Sequence, residues 1–106
     1  MDTQFKKGVV EVCVLNELKK EDTYGYKLVK SLSLVLEIGE STIYTMLRKL
    51  TNDGNLEVYE REGTDGPRRK YYSLTGIGNK RLLILIDEWE LFSTKVNNLI
   101  GGLENE

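Results

Sequence analysis

Histidine is missing from the 106 residues, and there is one cysteine, Cys13, and one proline, Pro67. Without an imidazole or a second thiol, the chain cannot assemble a Ser-His-Asp or Cys-His nucleophile or the common zinc sites. A Gly-rich phosphate loop of the P-loop or dinucleotide type is also lacking. The carboxylates are scattered among lysines as on solvated helices, so no catalytic residue, metal site or cofactor is expected. Cys13 lies inside the apolar run Val9 to Leu15 and has no internal disulfide partner. It reads as a small buried hydrophobe suited to a reducing compartment. No apolar run approaches the ~20 residues that span a bilayer. The N-terminal stretch is interrupted by Glu11 and lacks a signal-peptide cleavage pattern. A cytoplasmic protein with no membrane partner is the expectation.

A chain of this length forms one domain with a modest core, so oligomerisation is expected to cover part of its surface. The formal net charge is -2, but it is unevenly placed. Residues 1–80 carry 13 Lys/Arg against 12 Asp/Glu, whereas residues 81–106 carry 2 against 5. A barely basic head on an acidic tail is compatible with nucleic-acid contact through local patches and not through a broad field.

Along the chain, Phe5, Val9, Val12, Cys13 and Leu15 recur at helical spacing and predict a first helix over Phe5 to Leu18. Its Val-rich middle also carries strand propensity, but length and the lack of turn residues favour helix. Asp22 or Thr23 is expected to cap a second helix running from Tyr24 to about Leu34. The glycine of Tyr24-Gly25-Tyr26 then sits inside that helix and implies a close helix approach. Tyr24 itself is read either as a core-edge aromatic or as a phosphate contact.

A third helix is expected from Gly39 or Glu40 to Asp53, ended by Gly54 in the left-handed conformation. Ile43, Met46, Leu47 and Leu50 form its buried stripe. Ser41, Thr45, Arg48 and Asn52 then project from the opposite face, with Thr42, Tyr44 and Lys49 on the flanks, and none of these seven is acidic. Such donors and acceptors suit a helix that reads a DNA groove.

Leu56 to Glu60 reads as a strand, Arg61 to Pro67 as a loop, and Arg69 to Leu74 as the return strand. The stretch from Gly66 to Thr75 sets Arg68, Arg69, Lys70, Tyr71 and Tyr72 directly after a turn. Thr75 is expected to cap a final helix from Gly76 to Ile100, with Gly101-Gly102 ending it and the last four residues frayed. Leu82, Leu85, Trp89, Phe92, Val96 and Leu99 follow alternating spacings of three and four, the seam of a coiled coil that needs a partner helix. The expected fold is mainly α with a small β-hairpin: a winged helix-turn-helix head over residues 1–75 and a long dimerisation helix over 76–106.

Tyr24-Gly25-Tyr26, Ser41-Thr42-Ile43-Tyr44, Leu50 to Gly54 and Gly66 to Thr75, in this order, resemble the PadR-type transcriptional regulators nearly end to end. The short branch, with a single C-terminal helix, fits best. The resemblance implies a homodimer bound to double-stranded DNA, with Thr42, Tyr44 and Thr45 of the third helix at the DNA and Arg68, Arg69 and Lys70 on the wing. It also brings the first helix, with Phe5, Val9 and Val12, into the dimer interface. Trp89 matches a tryptophan that stacks planar aromatic ligands in multidrug-binding members, and the alternative for it is seam packing. Asp87, Glu88 and Glu90 would suit a cationic ligand or form a solvated flank. The favoured expectation is a homodimeric repressor of a pseudo-palindromic operator, released by a planar hydrophobic ligand. Two rivals stand beside it: a winged-helix module that docks protein, and a small-molecule-binding protein without operator binding.

Overall fold

Apolar residues at helical spacing and one turn-rich alternating segment produce seven elements among the described residues. They are α1 (Thr3–Lys20), β1 (Thr23–Tyr24), α2 (Gly25–Leu36), α3 (Glu40–Asn52), β2 (Leu56–Glu62), β3 (Arg68–Leu74) and α4 (Gly76–Ile100). The computed structural model describes residues 3–62 and 66–101, with side chains from Lys7 onward. The expectations for Phe5, for Gly102 and for the fraying of the last four residues concern side chains or residues outside that range.

The core is built where the helical stripes converge. Val10, Val14, Leu15 and Leu18 of α1, Leu28, Val29 and Leu32 of α2, and Ile43, Met46, Leu47 and Leu50 of α3 are buried together with Ile38, Leu56 and Leu82. Between α2 and α3 the chain turns through Glu37, Ile38 and Gly39. Glu37 takes a left-handed φ of 54°, and the Ser33 hydroxyl donates to the Ile38 carbonyl at 2.6 Å. Burying Ile38 beneath this short turn fixes α2 against α3 as a helix-turn-helix. α3 ends as expected. Gly54 has φ 82°, its N–H donates to the Thr51 carbonyl and the Asn55 N–H donates to the Leu50 carbonyl, a Schellman closure.

The segment before α2 departs from the sequence reading. Thr23 and Tyr24 pair with Tyr72 and Tyr71 as a third, antiparallel strand, so the expected hairpin is a sheet of order β1-β3-β2. Neither Asp22 nor Thr23 caps α2. Asp22 accepts from the Tyr59 hydroxyl, the Thr23 hydroxyl donates to the Glu21 carbonyl, and extended Tyr24 stands at the N-cap with no side-chain bond. Gly25 is therefore the first helical residue. The close approach it permits is to a strand and not to a helix: a Cβ there would stand 3.0 Å from Cε1 of Tyr72.

At the far end of the sheet the Thr75 hydroxyl accepts from the Gly78 N–H at 3.0 Å and donates to the Gly54 carbonyl at 2.7 Å. This one side chain joins the end of α3 to the start of α4. Beyond its first turns α4 leaves the head, and Leu91, Phe92, Leu99 and Ile100 are exposed.

Candidate nucleic-acid interface

The face of α3 opposite its buried stripe carries Ser41, Thr45, Arg48 and Lys49, all exposed, with Thr42 and Tyr44 half-buried beside them. The Thr45 hydroxyl donates to the Ser41 carbonyl at 2.8 Å and accepts from Nη2 of Arg48 at 3.1 Å. Thr45 thereby orients the guanidinium. Arg48 has no ion-pair partner among the described residues. Lys49 is held by Asp53 at 2.9 Å, an exposed pair of small worth that a phosphate can displace.

Between α3 and the sheet lies an open cleft of about 420 Å³ lined by Tyr24, Gly25, Tyr26, Tyr44, Arg69, Lys70 and Tyr72. It gathers four of the expected DNA-contacting residues, Tyr24, Tyr44, Arg69 and Lys70, from β1, α3 and β3. Cations and phenol hydroxyls line it and no carboxylate does, the chemistry of an anion seat. Burial beside Tyr44 pushes the Tyr72 phenol above its ordinary range, against the opposing pull of Arg48, so this hydroxyl stays a donor. Ser41, Thr42, Thr45 and Lys49 line a different groove, shared with Lys7, Gly8 and Glu11 of α1 and Met46 of α3. Arg68 belongs to neither and lies 4.0 Å from Glu62 across the hairpin.

On α4 the expected interface residues divide. Leu82 is fully buried in the protomer's own core, because the first turns of α4 close the head. That burial removes it from any surface a second chain could meet. Val9, Val12, Leu85, Trp89 and Phe92 line an open groove of about 500 Å³ with Gly8, Cys13 and Glu88. Val96 is half-buried and Leu99 is 85% exposed.

A model of the transcriptional regulator PadR-like family matches residues 14–83, more than half of the chain. The chain belongs to the PadR-like family. Its fold is also that of a Streptococcus transcriptional regulator, at 36% identity over 92% of this chain and 98% of that one, with a TM-score of 0.85. A PadR-like transcriptional regulator from Bacillus cereus is 34% identical over 92% of this chain and 97% of its own, with a TM-score of 0.82. A PadR family transcription regulator from Clostridium difficile is 33% identical over 88% and 98%, with a TM-score of 0.74.

As a PadR-like protein the chain is a DNA-binding transcriptional regulator of the winged-helix type and not an enzyme. Two features of this candidate interface escaped sequence reading. Tyr26 resembled a core-edge aromatic, yet it is 62% exposed and opens onto the cleft. Arg61, expected to open the loop, lies within β2, and strand alternation puts it on the opposite side of the sheet from Glu60 and Glu62.

Proposed function

We propose that this PadR-like regulator is a homodimeric repressor that binds a pseudo-palindromic operator in the cytoplasm. In this reading α3 of each protomer enters the major groove, with Ser41, Thr42, Tyr44, Thr45 and Arg48 toward base edges and Lys49 toward phosphate. Tyr24, Arg68, Arg69 and Lys70 of the wing side hold the backbone. The observation that carries it is the acid-free cleft joining Tyr44 of α3 to Arg69 and Lys70 of β3. Dimerisation is supported by the apolar seam spacing of α4, along which Phe92 and Leu99 are exposed and Val96 is half-buried. Fluorescence anisotropy on duplexes tiling the DNA upstream of the gene tests the reading. Salt-sensitive, site-selective binding by a dimer supports it, and a chain that binds no duplex at low salt overturns it in favour of a protein-docking module.

Release by a planar hydrophobic ligand is the second part of the proposal. The α1–α4 groove has a volume in the range of small-molecule sites, Trp89 on its wall is 49% exposed, and Glu88 supplies the one carboxylate of its lining. A cationic planar ligand stacked on Trp89 would quench its fluorescence and lower operator affinity together. Quenching without a change in DNA affinity would leave a ligand-binding protein uncoupled from DNA.

A further inference from the structure

Arg61 lies outside the basic run at Arg68–Lys70, and pleating separates it from its acidic neighbours. In the β2/β3 register Glu60 faces Lys70 and Glu62 faces Arg68 on one side of the sheet, whereas Arg61 faces Arg69 on the other. Two like charges directly opposite one another repel. Among the described residues neither guanidinium has an ion-pair partner. Each lies instead over a tyrosine ring, Arg61 Cζ at 4.3 Å from the Tyr71 centroid and Arg69 Cζ at 4.5 Å from the Tyr24 centroid.

The rings form a row across all three strands. Tyr59 and Tyr71 stack at 5.7 Å and 19°, and Tyr71 meets Tyr24 at 5.8 Å and 58°. The Tyr59 hydroxyl, donating to Asp22 at 2.6 Å, ties the β2 end of the row to the β1 side. A guanidinium seated on a ring keeps its planar fork of N–H donors available and loses little freedom when an anion arrives. Arg69 also lines the cleft with Tyr24 and Tyr44, so one member of the pair reaches the candidate DNA interface.

We propose that Arg61 is a further phosphate-binding cation of the wing, forming with Arg69 a two-guanidinium clamp on the DNA backbone, and that Tyr71 is its positioning residue. This rests on the DNA reading above. It assigns the clamp to the tyrosine-bearing side of the sheet, where repulsion between the two arginines is relieved by a bound phosphate.

The test is a KCl series of anisotropy titrations with a fluorescein-labelled duplex of random sequence, on full-length variants shown to be folded by circular dichroism. Each lost phosphate contact lowers the salt slope by about 0.9 per engaged protomer. Arg61→Gln is expected to show that loss and Arg61→Lys to retain the slope. Tyr71→Leu is expected to weaken binding roughly two- to fivefold, the scale of an exposed cation–π contact, while Tyr71→Phe matches wild type. An unchanged slope in Arg61→Gln, with a reduced one in Arg69→Gln, overturns the role of Arg61 and leaves the wing reading intact. No binding by wild type overturns both.

Discussion

Gly78 of α4 lies so close to the Asn55 backbone carbonyl that no Cβ fits between them. The first turn of α4 thus rests directly on the residue that leads into β2. Since the nearest obstructing atom is backbone, Gly78→Ala is expected to cost about 1–3 kcal/mol or more, as overpacking does. Gly76→Ala, two residues earlier with nothing within 4 Å, is expected to be neutral or stabilising by up to ~1 kcal/mol. Thermal melts at one protein concentration separate the two, and equal losses would contradict the packing described for Gly78.

Thr75 joins the end of α3 to the start of α4 through one hydroxyl. Thr75→Ala removes the acceptor for the Gly78 N–H and the donor to the Gly54 carbonyl, an expected loss of about 1–2 kcal/mol. Thr75→Ser is expected to recover most of it in denaturant titrations. A serine variant as weak as alanine would mean that the methyl group, and not the hydroxyl, carries the effect.

On α3 the Thr45 hydroxyl orients Arg48. Arg48→Ala is expected to narrow the gap between operator and base-substituted duplexes by ~1–3 kcal/mol at the positions it reads. Thr45→Val is expected to relax selectivity at the same positions by a smaller amount. Competition anisotropy measures both, and uniform weakening on every sequence would make Arg48 a phosphate contact.

For the dimer, Phe92→Glu places a charge in the exposed apolar row and is expected to yield monomers by light scattering at micromolar concentration. Leu82→Ala acts elsewhere, opening a cavity in the protomer's core at an expected cost of about 2–5 kcal/mol. Dimerisation untouched by Phe92→Glu would remove α4 from the interface.

Cys13 lines the same groove as Trp89, and burial, followed by the Glu17 carboxylate, pushes its thiol above the ordinary value. A raised pKa means less thiolate at any given pH, and the thiolate is what alkylates. The iodoacetamide rate is therefore expected to be still climbing at about pH 9. A plateau below about pH 8 would show a depressed thiol. A planar ligand seated in the groove is expected to slow the reaction.

Helices α3 and α4 were legible because each carries its own punctuation. The α3 stripe, its Gly54 terminator and the Thr75 cap are local signals, and α4 runs over the expected residues. The missed elements depend on distant partners. A two-residue strand such as Thr23–Tyr24 has no period to detect and exists because β3 presents a free edge. The same pairing turned Gly25 from a presumed helix-contact glycine into a seat for the Tyr72 ring.

Sequence alone determined the order of the four helices and the β2/β3 hairpin, the acid-free face of α3, the cationic return strand and the apolar row on α4, since periodicity and capping act over a few residues. Tertiary structure decided which of those groups meet. Folding buried Leu82 within the protomer and joined Tyr44 to Arg69 and Lys70 across a cleft. It also set Arg61 and Arg69 side by side on tyrosine rings, away from the glutamates that flank Arg61 in the chain. Strand register causes that last outcome, because alternate residues face opposite sides and only pairing fixes which charges share a side.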